Sequence, residues 1–379
     1  MRMPRTTSLL SGINVRARSS RARFDPPETY LDQVSDTYAE VWFPSGGCIW
    51  DQMGHCTTCN YGAPMQVEPD RMVKAVEVAL TRLAPTTETL WVSAFDTLQQ
   101  KEVPADVRRR IFALLSDVPA GLVITEAHPA SVRADAVAEC VQLLAGRRFA
   151  VQLGVETMDE FLRYACVNKP FTNKQLAAAV RTLHDNGAEA WANLILGIPF
   201  LTGPEAVRNT TASVLAAAEF GFESIALFPN HIKEHTIAYL LAEADRYSPP
   251  DLWSLRDVLA GVPDALLDRI HLAWLELKPH PGAPAVVHEP SRAATQLLRD
   301  RLERFNMNRD RSALAQALAM PAPARHPDTT DQDGEDLVGR LLGQYEWLAD
   351  HHGAPDWWQH NAEHVRAELE TGRAESTLV

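Results

Sequence analysis

The segment GGCIWDQMGHCTTCNYG, residues 46–62, places three of the chain's five cysteines within twelve residues. They are Cys48, Cys56 and Cys59. Their crowding and the odd total indicate a metal or cofactor site in a reducing compartment rather than a disulfide framework. Three thiolates on a glycine-containing loop can converge on one centre and leave one metal position open for another ligand. The segment therefore predicts a catalytic metal site.

Two kinds of metal site remain open for this stretch, which we call the cysteine loop (residues 46–62). A [4Fe-4S] cluster is normally held by four cysteines, so three would leave one iron free to bind a small molecule. Zinc could instead take the three cysteines and His55 as a closed tetrahedral site. Zinc sites of that kind usually pair two C-x-x-C units, whereas this loop has one. The spacing therefore favours the cluster over zinc.

Strand and helix patterns alternate along the chain around this loop. Apolar runs predict strands at 41–44, 89–94, 122–125, 149–155, 190–196 and 224–228. Helical patterns follow at 69–83, 105–115, 131–144, 159–165, 173–186 and 205–220. Such alternation implies a parallel sheet covered by helices, because parallel neighbours need crossover connections. The order predicts an α/β fold, either a partial barrel or a doubly wound open sheet, with ligands at the carboxyl ends of the strands.

An arm precedes this α/β region and helical segments follow it. The arm, 1–40, begins with six arginines in residues 1–24, which favour a disordered basic segment. Because that stretch lacks the apolar core of a secretory signal, we expect a cytoplasmic protein. The predicted divisions are a barrel at 41–260, a helical extension at 261–320 with one helix at 265–277, a linker at 321–334 rich in Pro, Asp and Thr, and a helical segment at 335–379.

Composition and charge limit the classes of partner that the chain is expected to bind. Hydrophobic residues make up 46% and charged residues 22% of the sequence, values typical of a folded globular protein. The 36 basic and 49 acidic residues give a net charge of -13, which disfavours binding to nucleic acid unless a basic patch overrides it. No stretch approaches the roughly 20 apolar residues that cross a bilayer, so we expect no membrane span.

Segments at the predicted strand ends resemble a known family. The cysteine loop is similar to the longer loops of the Elongator-like branch of the radical S-adenosylmethionine (SAM) superfamily, and the later segments are most similar to the radical SAM subunit of archaeosine synthase. The resemblance covers approximately residues 41–259. Its further segments are Ser93-Ala94-Phe95-Asp96, Glu126-Ala127-His128-Pro129, Gly154-Val155-Glu156-Thr157, Asn168-Lys169-Pro170-Phe171-Thr172, the stretch 196–202 with Glu205, Phe228-Pro229-Asn230 and the stretch 247–254.

The resemblance implies a fold, cofactors and site residues. The fold is a partial (βα)6 TIM-type barrel, in which Cys48, Cys56 and Cys59 hold a [4Fe-4S] cluster whose open iron binds the amino and carboxylate groups of SAM. Tyr61 stands where the family has an aromatic residue near adenine, and Ser93 lies in the small-residue turn beside the methionyl group.

Three carboxylates at the strand ends are candidates for cofactor binding. Glu156 follows an apolar strand and is expected to accept hydrogen bonds from the ribose hydroxyls or the ammonium group of SAM. Glu126 and Asp96 could bind SAM or substrate, and a structural role is an equal alternative for both, as a core position is for Tyr61. Lys169 could neutralise a carboxylate, but an exposed loop lysine is the default expectation.

The remaining candidates have less specific surroundings. The direction of the Asn193 side chain depends on the strand register and stays open. Cys140 and Cys166 occupy apolar positions in helices, so both are interpreted as packing residues.

The resemblance predicts a reaction and leaves the substrate open. A reduced cluster would donate one electron to SAM, giving methionine and a 5′-deoxyadenosyl radical that abstracts hydrogen from a small-molecule or peptide substrate, such as one of specialised metabolism. An electron donor such as flavodoxin or ferredoxin is implied. A tRNA substrate of the archaeosine type is the alternative, disfavoured by the negative charge and by the absence of cysteine beyond Cys166. A non-catalytic zinc scaffold is the alternative from another class.

Overall fold

The computed structural model describes residues 5–19, 29–62, 67–273, 285–286, 292–322 and 336–376. The strands are β1 (Tyr30–Gln33), β2 (Tyr38–Trp42), β3 (Thr89–Ser93), β4 (Leu122–Ala127), β5 (Arg148–Glu156), β6 (Glu189–Leu196), β7 (Ser224–Pro229), β8 (Ile232–Lys233), β9 (Ile270–Leu272) and β10 (Ala285–Val286). The main sheet has the order β1-β2-β3-β4-β5-β6-β7-β9, and β8 pairs with β10. Neighbours from β2 to β9 in the main sheet run parallel, whereas β1 is antiparallel to β2.

Helices cover one face of this sheet and continue beyond it. They are α1 (Arg5–Ser19), α2 (Ile49–Gln52), α3 (Pro69–Leu80), α4 (Ala105–Leu115), α5 (Ala134–Leu143), α6 (Glu160–Ala165), α7 (Asn173–Asp185), α8 (Gly203–Phe220), α9 (Ile237–Glu243), α10 (Leu252–Ala260), α11 (Asp264–Leu267), α12 (Arg292–Asn308), α13 (Arg311–Leu318), α14 (Leu337–His351) and α15 (Pro355–Glu375). A short 3-10 helix spans Pro129–Ser131. Within the described residues, none of these helices is long and apolar enough to span a bilayer.

The predicted partial barrel with a helical C-terminal part is confirmed. The sheet curls into an open half-barrel, and β2 to β7 correspond to the six predicted strands. The boundaries of the predicted divisions stay predictions, and residues 323–334 of the predicted linker lie outside the described residues.

The predicted helix at 265–277 is wrong beyond its first residues. Helix α11 ends at Leu267, and Ile270–Leu272 then pairs with β7 as the last strand of the sheet. Ile270 and Leu272 are buried on one side, while the ring of His271 stacks on Trp191 on the other side, 5.2 Å between centroids. This alternation has a period of two residues, and the exposed edge of β7 supplies the hydrogen bonds that favour a strand.

The expectation of a disordered N-terminal arm is also wrong for residues 5–19. They form α1, whose Leu9, Leu10 and Ile13 are buried in the main core. The segment contains apolar residues at helical spacing among its arginines, and its basic composition alone does not indicate that apolar face. Burying that face against the rest of the chain offsets the entropy cost of ordering the helix.

The sheet separates two apolar clusters. The large one lies between the sheet and the helices, and it contains Cys140 and Cys166 as packing residues, as predicted. The small one consists of residues on the opposite, concave face of the half-barrel, which we call the lumen. Its members are Leu122, Ile124, Ala150 and Trp191, with Trp91 packed against them. Towards the carboxyl ends of the same strands the lumen becomes polar, which is where the candidate site lies.

A glycine after β6 fixes the path of the chain at this end of the barrel. Gly197 has φ +80°, and a Cβ there would lie 2.5 Å from Cδ of Pro250. We expect Gly197→Ala to lower the free energy of unfolding by about 2–3 kcal/mol, from backbone strain and the clash together. Gly146 has φ +90° with nothing within 4 Å of a Cβ, so Gly146→Ala should cost about 1 kcal/mol from strain alone. Equal losses in urea denaturation would contradict the role of Pro250.

Candidate functional site

The cysteine loop follows β2 at the carboxyl edge of the sheet. The backbone N–H of Cys48 donates to the carbonyl oxygen of Tyr61 at 2.9 Å, so the two ends of the loop are held together. Gly54 adopts φ +82°, and a Cβ there would lie 2.4 Å from the carbonyl oxygen of Ser11 in α1. The loop therefore turns sharply against the N-terminal helix, and only glycine fits at that contact.

The three predicted cluster ligands lie near one another on this loop. Burial raises the pKa of all three thiols. The Cys56 thiol contributes to the raised pKa of Cys48, and the Cys59 thiol contributes to that of Cys56. Lys169 lowers the pKa of Cys56, and Lys233 lowers that of Cys59. The two lysines thus favour the thiolate form that metal binding requires.

The donor set fits an iron–sulfur cluster better than a preformed metal site. Among the described residues, no three Cys, His, Asp or Glu side chains stand close enough to hold a metal ion as they are. Three thiols on one loop beside two buried lysines nevertheless supply the soft ligands and the positive charge that an anionic cluster needs. Cys48, Cys56 and Cys59 are the residues that would hold the cluster.

Glu156 and Lys169 form a buried ion pair at the end of β5. Nζ of Lys169 lies 2.6 Å from Oε1 of Glu156 and donates to the carbonyl oxygen of Gly154 at 2.7 Å. The side chains of Glu156 and Lys169 are 12% and 8% exposed, so the expectation of an exposed Lys169 is wrong. Burial lowers the pKa of Lys169, but the Glu156 carboxylate together with the Cys56 and Cys59 thiols leaves that pKa raised. A register shift in β5 and φ +66° at Glu156 aim this carboxylate out of the regular strand.

Glu126 lies in the polar part of the lumen with two amide side chains. Nδ2 of Asn193 donates to Oε1 of Glu126 at 3.0 Å, and Gln152 donates to Asn193. The strand register thereby resolves the direction of Asn193, which faces the lumen. Desolvation, with the charges of Glu156 and Glu40, raises the pKa of Glu126 to about 8, although the bond from Asn193 opposes the shift. Glu126 is therefore largely protonated at neutral pH.

This protonation predicts a pH effect on stability. The pKa of Glu126 is raised from 4.5 to about 8 on folding, so its contribution to stability is full below pH 4.5 and is lost as the pH rises to about 8. We expect Glu126→Gln, which stays neutral, to unfold at a higher urea concentration than the wild type at pH 9 and at a similar one at pH 5. Glu219→Gln, on an exposed position of α8, is the control and should match the wild type at both pH values. A Glu126→Gln midpoint equal to the wild type at pH 9 would contradict the shift.

Asp96 and Ser93 take part in internal hydrogen bonds at the end of β3. Asp96 is 1% exposed, and its Oδ2 accepts from the indole of Trp50 at 3.1 Å and the hydroxyl of Ser131 at 2.6 Å. Burial raises the pKa of Asp96 to about 6 against these bonds. The hydroxyl of Ser93 accepts from the backbone N–H of Glu126 at 3.2 Å. The hydrogen bonds of both side chains thus stabilise the local structure of the site. Contact of either side chain with a cofactor stays a prediction.

Tyr61 stands at the edge of the cysteine loop between an aromatic ring and a cation. Its ring stacks on Phe95, 4.9 Å between centroids and 14° between planes, and Nζ of Lys233 lies 5.5 Å from its centroid. Tyr61 is therefore a rigid flat surface beside the cysteines, as a residue that contacts a nucleobase would be.

Three residues of the site were not found from the sequence. Glu102 accepts from the backbone N–H groups of Phe95 and Asp96, each at 2.9 Å, and so shapes the turn after β3. Burial and the Asp96 carboxylate raise the pKa of Glu102 to about 8. Arg18 and Asp51 form a second ion pair, 2.5 Å apart, between α1 and the cysteine loop. Glu102 and Arg18 lie outside both the cysteine loop and the predicted strand ends, and Asp51 lies in the loop but carries no thiol, so the signals that select candidates pass over all three.

Parts of this chain are similar to known proteins. No protein-family model matches the chain. Archaeosine synthase subunit beta of Methanosarcina acetivorans is 28% identical over 226 residues, which cover 58% of this chain and 65% of that protein. The subunit of the same name in Thermococcus kodakarensis is 27% identical over 227 residues, covering 58% and 70%. The solved structure of Elp3 from Methanocaldococcus infernus, at 13% identity and a TM-score of 0.45, covers 62% of this chain and 59% of that one.

These similarities bear on the part of the chain that they cover. The match spans less than two thirds of the length of the Methanosarcina subunit, so the activity of that whole protein is not carried over by similarity. Over the matched region the chain is similar in sequence to archaeosine synthase subunit beta, so the resemblance to that protein that its motifs predict is confirmed.

Proposed function

We propose that this chain is a radical SAM enzyme in which Cys48, Cys56 and Cys59 hold the cluster and the lumen binds a small-molecule or peptide substrate. The observation that carries the proposal is that the cysteine loop lies at the carboxyl edge of the sheet, where the Cys56 and Cys59 thiols are close enough to the Glu156 carboxylate to interact with it electrostatically. When bound, the cluster and SAM supply a 5′-deoxyadenosyl radical, which removes hydrogen from the substrate.

The residues around the loop would bind and orient SAM. The Glu156 carboxylate, held by Lys169, can accept hydrogen bonds from ribose hydroxyls or an ammonium group at the end of β5. The stacked Tyr61 and Phe95 rings would offer their edges to adenine, because the Tyr61 ring already lies between Phe95 and Lys233. Both groups are fixed by packing, so they would hold SAM in one orientation relative to the cysteines.

The lumen favours a compact polar substrate. Trp91 and Trp191, with their aliphatic neighbours, form its apolar part, nearer the amino ends of the strands. Above them Glu126, Asn193 and Gln152 offer both donors and acceptors, because Glu126 is protonated near neutral pH. The substrate would pack against these tryptophans and form hydrogen bonds with the polar groups. Its reacting carbon would then face the cysteine loop.

A tRNA substrate is the second candidate, and the names of the two archaeosine synthase relatives favour it. The net charge of -13 opposes it. The N-terminal arginines could supply a local positive charge, yet Nε of Arg16 donates to the carbonyl oxygen of His352 and Arg18 is paired with Asp51. These two arginines therefore offer little to a phosphate backbone, which supports the small-substrate proposal.

The test is anaerobic reconstitution with iron and sulfide, followed by reduction with dithionite, flavodoxin or ferredoxin in the presence of SAM. We expect a brown protein with about four irons per chain, as a [4Fe-4S] cluster requires, and formation of 5′-deoxyadenosine. Added tRNA should leave the rate of SAM cleavage unchanged. A colourless protein that retains zinc and forms no nucleoside would favour the zinc scaffold instead.

A further inference from the structure

Arg18 connects the N-terminal helix to the cysteine loop through several contacts at once. Its side chain is 9% exposed, and its guanidinium lies 2.5 Å from the Asp51 carboxylate. It also donates to the carbonyl oxygens of Asp51 at 2.6 Å, Cys56 at 3.0 Å and Cys59 at 2.8 Å. Two of these carbonyls belong to residues that carry the thiols.

The neighbourhood of this contact leaves the loop little freedom. Asn14, one turn earlier in α1, donates to the carbonyl oxygen of Gly54 at 2.9 Å. Asp51, the partner of Arg18, also accepts from the backbone N–H of Gly62 beyond the last cysteine. Contacts with α1 and with the ion pair thus hold the middle and the end of the loop in place.

We propose that Arg18 is a positioning residue that preorganises the cysteine loop for its cluster. A glycine-containing loop must lose conformational freedom before its thiols can bind one centre, and that entropy cost weakens binding. A guanidinium can direct several N–H groups to separate acceptors, so it orders three loop carbonyls before the metal arrives. Because the Asp51 carboxylate neutralises the charge of Arg18, this residue orients the loop carbonyls without adding net charge to the site.

The contacts of Arg18 order the loop whether or not the proposed function is correct. The role of that order in cluster binding rests on the proposed function. The first test therefore uses the protein without metal and measures amide hydrogen exchange over residues 48–62. In Arg18→Gln we expect exchange to rise by about tenfold, the effect of losing one charge-assisted hydrogen bond. Arg16→Gln is the matched control on the same helix, since Arg16 makes an exposed bond to His352 and should leave loop exchange unchanged.

The second test measures retention of the cluster after anaerobic reconstitution. We expect a chelator to remove iron from Arg18→Gln about tenfold faster than from Arg16→Gln, a typical effect of residues that support metal ligands. Arg18→Lys keeps the charge without the planar fork and should resemble Arg18→Gln, and it decides the matter if Arg18→Gln does not fold. Unchanged loop exchange in both Arg18 variants would overturn the inference, whereas a wild type that binds no iron would overturn the proposed function alone.

Discussion

Cys56→Ala is expected to abolish SAM cleavage while the barrel remains folded. Of the three predicted ligands Cys56 is the most buried, and its thiol interacts electrostatically with each of the other two. Loss of one of three thiolates should leave a cluster incompletely held. Because even residues that only support a ligand change affinity or activity by about 10–100-fold, loss of a ligand should exceed about 100-fold in 5′-deoxyadenosine formation.

Cys140→Ala is the matched control for this loss. Cys140 is 1% exposed on α5, in the main core on the helical side of the sheet, so its replacement removes a buried sulfur without touching the loop. We expect a loss of about 1 kcal/mol in the free energy of unfolding and full SAM cleavage. Iron content, nucleoside formation and circular dichroism together separate loss of the cluster from loss of the fold. A Cys56→Ala protein that still forms the nucleoside would refute the assignment of the ligands.

The strand ends of this protein could be predicted because two signals coincide there. The apolar runs that become β3, β4 and β5 end at or beside polar residues, and parallel strands bring those residues to one edge of the sheet. Glu126 and Glu156 were found in this way. Asn193 lies three residues before the end of β6, so its direction is given by the observed pairing with Gly154.

The supports of the site could not be predicted, because their partners are distant in sequence or their charge suggests exposure. Arg18 binds carbonyls 33 to 41 residues further along, and the helix that carries it was interpreted as a basic arm. Lys169 follows a short turn and looks like any surface lysine until the Glu156 carboxylate is placed beside it. Pairing of buried charges depends on tertiary structure, which hydrophobic periodicity does not encode.

Lys169→Met is expected to destabilise the fold strongly and to weaken SAM binding. The change removes the cation from a pair that is nearly buried and leaves the Glu156 carboxylate without its partner. Such a loss typically costs about 3–5 kcal/mol in the free energy of unfolding. Lys74→Met is the control, since Lys74 and Glu77 are 67% and 51% exposed and their ion pair should contribute less than about 1 kcal/mol. Urea denaturation measures both variants, and equal losses would contradict the burial argument.

The double variant Lys169→Met/Glu156→Gln separates the charge of this pair from its function. In the double variant both charges are removed and no carboxylate is left unpaired. We therefore expect it to regain most of the free energy of unfolding that Lys169→Met loses. SAM affinity should not return with it, because the amide that replaces the Glu156 carboxylate cannot accept hydrogen bonds with both of its polar atoms. Equilibrium dialysis with SAM on the reconstituted protein measures that affinity. Recovery of stability and affinity together would assign the Glu156–Lys169 pair to structure alone, whereas recovery of stability alone supports a Glu156 contact with SAM.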